Sequence, residues 1–92
     1  MKQELHHSGS EAFYEAVLKL KTVDECRGFF EDICSAYELQ TIEQRFQLLY
    51  LLTTGHSYSE IAAQTGASSA TISRASRQLN NSSCDIASII RR

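Results

Sequence analysis

The sequence contains no proline and no tryptophan, and only four glycines, one methionine and three cysteines in 92 residues. Without proline, long unbroken helices are permitted, and with so few turn residues a sandwich, a barrel or a collagen-like chain is excluded. No apolar run approaches the ~18 residues a membrane-spanning helix needs. Met1 to Ser10 lacks the apolar stretch of a secretory signal, so a cytoplasmic protein with no membrane partner is expected. No C-x-x-C pair occurs, and His6, His7 and His56 stand at no ligand spacing to a cysteine, so no metal site is expected. No phosphate loop is present and no nucleophile has a base at a defined spacing, which sets an enzyme aside. The odd cysteine count speaks against a disulfide framework. Cys26 and Cys34, eight apart among apolar residues, are expected as buried reduced thiols.

What remains is an ordinary globular composition, 42% apolar and 22% charged. The length suits a single domain over 1–92, with 1–9 expected as a flexible terminus. The net charge of −2 argues by itself against a polyanion partner. Its distribution says more: residues 1–55 are net −4, and residues 56–92, with Arg74, Arg77, Arg91 and Arg92 against Glu60 and Asp85, are net +2. An acidic body with a mildly basic C-terminal third is compatible with a polyanion on that third.

Start and stop signals divide the chain into six expected helices and no strand. Ser10 is placed to cap the first, with Phe13, Val17 and Leu20 on one face. Thr22-x-x-Glu25 and Ser35-x-x-Glu38 read as capping boxes that open the second helix and the long third one. Leu39, Ile42, Phe46, Leu49 and Leu52 form one stripe of the third helix, widened by Leu48, Tyr50 and Leu51. A face that broad packs against more than one neighbour, and together with the second helix it is more apolar surface than so short a subunit can cover, so an obligate dimer is expected. Gly55 closes this helix, Ser57-x-x-Glu60 opens a short fourth, Gly66 stops it, and Ser68 caps a fifth through about Leu79. Cys84 to Arg92 form the last, with Ile86, Ile89 and Ile90 inward.

The stretch from Ser57 to Leu79 is the informative one. A short helix, a glycine-bearing turn and a second helix make a helix-turn-helix candidate. Ala62 is small where the helices cross, Gly66 stands where the turn needs positive φ, and Ile72 locks the second helix onto the first beside Ile61 and Ala75. The outer face carries Ser69, Ala70, Ser73, Ser76 and Arg77, flanked by Thr71 and Arg74, with no Glu or Lys between Ser68 and Leu79. Such short side chains suit close approach to a groove. First-turn amides and the Ser68 and Ser69 hydroxyls can donate to phosphate, and Ala70 or the Thr71 methyl can meet a thymine methyl. A structural helical hairpin, its outer face merely solvated, is the other reading of the same residues.

The block AYELQTIEQRFQLLYLLTTGHSYSEIAAQTGASSATISR, preceded by LKTVDECRGFFEDICS, resembles the Trp repressor family, and more closely its small YerC/YecD-type relatives of Gram-positive bacteria. The resemblance covers about residues 12–80. It implies an all-α, six-helix subunit intertwined as a homodimer, whose recognition helices enter successive major grooves of double-stranded DNA. The Trp repressor is itself a standard helix-turn-helix example, with half-sites about 34–36 Å apart and largely water-mediated base contacts. It implies DNA contacts from Ser68, Ser69, Ala70, Thr71, Ser73, Arg74 and Arg77. It also implies an effector pocket in which Arg45 and Arg74 sandwich an aromatic ring, with Ser35 helping to line it, and so a tryptophan-like corepressor. Two departures bear on that ligand. Ala75 stands where the tryptophan-binding member has glycine, and the segment between Gly55 and Ile61 is one residue shorter. An ion pair of Arg45 with Glu38 is the competing role for that arginine. A transcriptional repressor is thus weighed against a helical protein-interaction module that docks a protein helix through the same motif.

Overall fold

The structure is a computed structural model that describes residues 2–92, with side chains from residue 9 onward. The described residues form six α-helices and no strand: α1 Lys2–Leu18, α2 Val23–Ile33, α3 Ala36–Thr53, α4 Tyr58–Thr65, α5 Ser69–Asn80 and α6 Ile86–Arg91. Among the described residues no helix is long and apolar enough to cross a membrane. The chain divides into two compact units, Met1–Leu39 and Gln40–Arg92.

In the first unit α1 does not begin at a Ser10 cap. Its backbone is helical from Lys2 and passes through Ser10 without a break. The expectations for His6 and His7 fall on side chains outside the described residues. Thr22 caps α2, its Oγ1 accepting from the Glu25 amide at 3.0 Å. The capping box is altered, however: Glu25 Oε1 accepts from the amide of Lys21, not of Thr22, at 2.8 Å. The Ser35–Glu38 box forms in full, with Ser35 N donating to Glu38 Oε1 at 2.8 Å and Glu38 N to Ser35 Oγ at 3.1 Å.

Phe13, Tyr14, Phe29 and Phe30 hold this unit together. Phe29 and Phe30 meet edge-on at 5.3 Å, and Phe13 approaches Tyr14 at 5.0 Å and Phe29 at 6.1 Å, within the range of favourable aromatic pairs. Yet no residue from 9 to 39 is buried, and Leu18 and Val23 are 83% and 72% exposed. Cys26 and Cys34 are free thiols as expected but half-buried, since no residue from 9 to 39 is buried; Cys84, in the other unit, is free and exposed.

The second unit has the buried core. Leu48 and Leu51 of α3, Ile61 of α4, and Ile72 and Ala75 of α5 form it, with Leu49, Leu52, Ala62 and Ala67 packed around them. Helix α3 closes as its glycine dictates. His56 N donates to Leu51 O at 3.1 Å and Gly55 N to Leu52 O at 3.4 Å, the paired bonds of a Schellman turn, with Gly55 at φ +88°. Helix α6 starts later than Cys84: Asp85, in the left-handed conformation, caps it by accepting from Ser88 N at 3.3 Å.

Candidate functional site

The helix-turn-helix is built from local bonds outward. Ser57 caps α4 with a complete capping box: Ser57 N donates to Glu60 Oε1 at 2.8 Å, and Glu60 N to Ser57 Oγ at 3.2 Å. The Ser57 amide, followed by its hydroxyl, holds the Glu60 carboxyl below the ordinary glutamate range. Helix α4 ends on Gly66 at φ +75°, whose amide donates to Ala62 O at 2.9 Å. Thr65 clamps the turn, donating to Ile61 O at 2.8 Å and accepting from Ala67 N at 3.1 Å.

Across this turn α4 and α5 pack on each other, and Ile61 and Ile72 are wholly buried. Ala75 is buried beside them. These are the residues whose spacing proposed the motif. The inner face of α5 is thereby fixed, and so is the face it turns away.

Ser68 caps α5, its Oγ accepting from Thr71 N at 3.2 Å and lying 3.0 Å from Thr71 Oγ1. The first intrahelical bond runs from Ile72 N to Ser68 O, so the helix leaves the amides of Ser69 and Ala70 unused. Ser68, Ser69, Ala70, Arg74 and Arg77 are exposed, and Thr71 and Ser73 are half-buried. Small side chains, two open amides and the positive end of a helix dipole therefore share one exposed tip, an arrangement that receives anionic oxygen atoms.

Arg45 of α3 and Arg74 of α5 line one cavity of about 280 Å³ with Leu48, Thr71, Ala75 and Gln78. Spacing alone did not bring Leu48 and Gln78 to this site. Leu48 reads as core, and Gln78 reads as a solvated helix position. Arg45 also borders a neighbouring cavity of about 340 Å³, walled by Thr41, Gln44, Ala67 and Gly66. Among the described residues the one ion pair is the exposed Arg27–Asp24, at 3.4 Å, and Glu38 spends its carboxylate on the Ser35 amide. The ion pair considered for Arg45 is thus not formed. Ser35 lies in the first unit and is committed to its capping box. Among the described residues no group of three metal-ligating side chains occurs.

The family model for Trp repressor protein matches residues 8–92. The chain is 43% identical over 67 residues to the uncharacterized protein YerC of Bacillus subtilis, a match that spans 73% of this chain and 64% of that protein. It is similar to a solved TrpR-like protein from Eubacterium eligens, with 42% identity, a TM-score of 0.72, and 86% of this chain and 81% of that one covered. It is also similar to a solved candidate Trp repressor from Staphylococcus aureus, with 36% identity, a TM-score of 0.70, and 85% and 78% covered.

Proposed function

The chain belongs to the Trp repressor family, and on that premise we propose that it is a dimeric, non-enzymatic, cytoplasmic repressor that binds double-stranded operator DNA through α5. The observation that carries this reading is the exposed tip of α5. Ser68, Ser69 and Ala70 are exposed beside the core that Ile61, Ile72 and Ala75 close, and the helix leaves two of their amides unused. Phosphates take the amides and hydroxyls, base edges meet Ala70, Thr71 and Ser73, and Arg74 and Arg77 supply charge.

Dimerisation is supported by the first unit. A unit in which no side chain from residue 9 to 39 is buried does not fold alone, and its apolar residues need a second surface. The dimer is expected to be obligate, because the same contacts complete the fold. Sedimentation at micromolar concentration is the check, and a folded monomer there overturns it.

DNA affinity is expected to depend only moderately on salt. With two arginines per subunit on phosphates, a dimer neutralises about four charges, and the slope of log K against log salt is roughly −3 to −4. Arg77→Ala weakens all sequences alike and flattens the slope by about one to two units. Selection of bound sites from random DNA, followed by salt titration on the selected site, tests both. Binding without sequence preference that vanishes near physiological salt replaces this reading with a protein-interaction module.

The effector of this reading is a small aromatic acid held between the guanidinium groups of Arg45 and Arg74, which border one cavity. Ala75 is part of the wall of that cavity, so its methyl takes room an indole ring would use. Arg74→Ala is expected to abolish the ligand's influence on DNA binding, and Ala75→Gly to raise tryptophan affinity. Calorimetry that detects no tryptophan binding to either the parent or Ala75→Gly removes tryptophan as the ligand.

A further inference from the structure

Beyond the effector cavity, a wider one opens where the C-terminal end of α5 meets the loop before α6. It has a volume of about 690 Å³, within the range of small-molecule sites. Its charge is of one sign. Arg74 and Arg77, three apart on α5 and so on one face, both border it. None of the residues that line it is acidic. Asp85, next in the chain to two of its lining residues, has its Oδ1 turned to the Ser88 amide at 3.3 Å. Among the described residues neither arginine has an ion-pair partner.

The remaining polar groups are donors. Gln78 and Asn81, again three apart, bring side-chain amides, and Ser83 brings an exposed hydroxyl. The Ser82 hydroxyl accepts from Ile86 N at 3.1 Å and keeps its own proton to donate. Leu49 and Ile86 contribute apolar surface. The end of α5 opposes an anion, but its partial charge of about half a unit is outweighed by two whole guanidinium charges. Two planar guanidinium forks, further N–H donors and an apolar patch match a tetrahedral dianion attached to a small hydrophobic group.

We infer that this cavity binds a small phosphate monoester with an apolar organic moiety, and that its occupation opposes DNA binding. Two shared residues provide the coupling. Arg77 carries phosphate charge in the DNA reading, and Arg74 also borders the effector cavity. A ligand that engages Arg77 withdraws it from DNA, and by linkage DNA weakens the ligand by the same factor. A phosphate of the DNA backbone is the other source of the same chemistry, but it brings no apolar group to Leu49 and Ile86. Binding to the free protein does not rest on the DNA reading; only the competition does.

Cys84, exposed at the edge of the cavity, is a built-in reporter. The full chain is titrated with phenyl phosphate and alkylated with iodoacetamide, and each cysteine is followed by peptide mass spectrometry, with half-buried Cys26 and Cys34 as references. Alkylation of Cys84 is expected to slow several-fold while the references hold. Arg77→Ala is expected to raise the half-protecting concentration by about tenfold, the usual worth of a charged hydrogen bond. Ser83→Asp, which places a carboxylate in an exposed loop position without disturbing a helix, is expected to abolish protection. Equal protection by sulfate or chloride at matched ionic strength overturns the proposal, as does no protection of Cys84.

A DNA arm separates the two phosphate sources. Phenyl phosphate is expected to weaken DNA binding by the parent, and to need a several-fold higher concentration to do so with Asn81→Leu, which without ligand binds DNA as the parent does. Loss of DNA affinity in Asn81→Leu assigns the cavity to a backbone phosphate and overturns the small-ligand site. Protection of Cys84 in a protein that binds no DNA leaves the site standing and overturns the DNA reading instead.

Discussion

Ile72→Ala is expected to cost about 3 kcal/mol of folding stability, within the range for truncating a fully buried isoleucine. Ile72 and Ile61 are the two side chains of the second unit with no exposure at all, and they meet across the turn between α4 and α5. The turn itself is held by local bonds: Gly66, Thr65 and the Ser68 cap shape the chain without joining the two helices. The apolar contact between the helices is therefore where the motif stores most of its stability. A loss of that size is a large fraction of the ~5–15 kcal/mol that stabilises a domain. It is expected to lower Tm by more than about 10 °C. Urea unfolding followed by circular dichroism, at one fixed protein concentration because the transition is coupled to association, measures it. Ile89→Ala, at a side chain nearly half exposed, is the control and loses well under half as much. A loss below about 1 kcal/mol for Ile72→Ala means that α4 and α5 are not locked through this residue.

How far the sequence could be read depends on the range of the interaction that decides each feature. Ser35, Ser57 and Ser68 were legible as caps because a cap and its amide are three residues apart and nothing distant competes. Thr22 was legible only in half, since the free Lys21 amide offered Glu25 a second partner one residue upstream. Ser10 misled for a related reason. A serine before an apolar periodicity suits a cap, yet no proline in the preceding residues stops a helix from running through it. Gly66, Ala62 and Ile72 revealed the motif because the turn fixes their spacing, and the pairing of Arg45 with Arg74 came from the family resemblance. The cavities were not legible from spacing. Gln78, Leu48 and Gln44 reach them only when α3 and α5 come together, and along one helix they look like ordinary core or solvated positions. The absence of a buried side chain from 9 to 39 was legible in outline, because the apolar faces of the second and third helices exceed what so short a subunit can cover.

Ala70→Glu is expected to lower operator affinity at least about thirtyfold while leaving the fold intact. Ala70 is exposed at the second position of α5, and its amide is one of the two the helix leaves unused. A carboxylate there faces the polyanion at the point of closest approach. It also replaces a methyl that could meet a base edge with an acceptor that must shed water and find a cytosine amino group or nothing. An unfavourable contact of this kind costs ~1–3 kcal/mol, and a dimer makes it twice, which gives a loss of roughly 30-fold to 10⁴-fold in affinity. In the free protein the sign reverses. Helix α5 has no acidic residue in its first turn, and a glutamate beside the positive end of the dipole stabilises a helix by ~0.3–1 kcal/mol. A parent-like or slightly raised Tm is therefore expected alongside the lost binding, so misfolding cannot account for the result. Fluorescence anisotropy on the selected operator, with thermal unfolding of the same preparation, reads both quantities. A variant that binds as the parent does would mean that α5 does not enter the groove, and the exposed tip of this helix would then serve a protein partner in place of DNA.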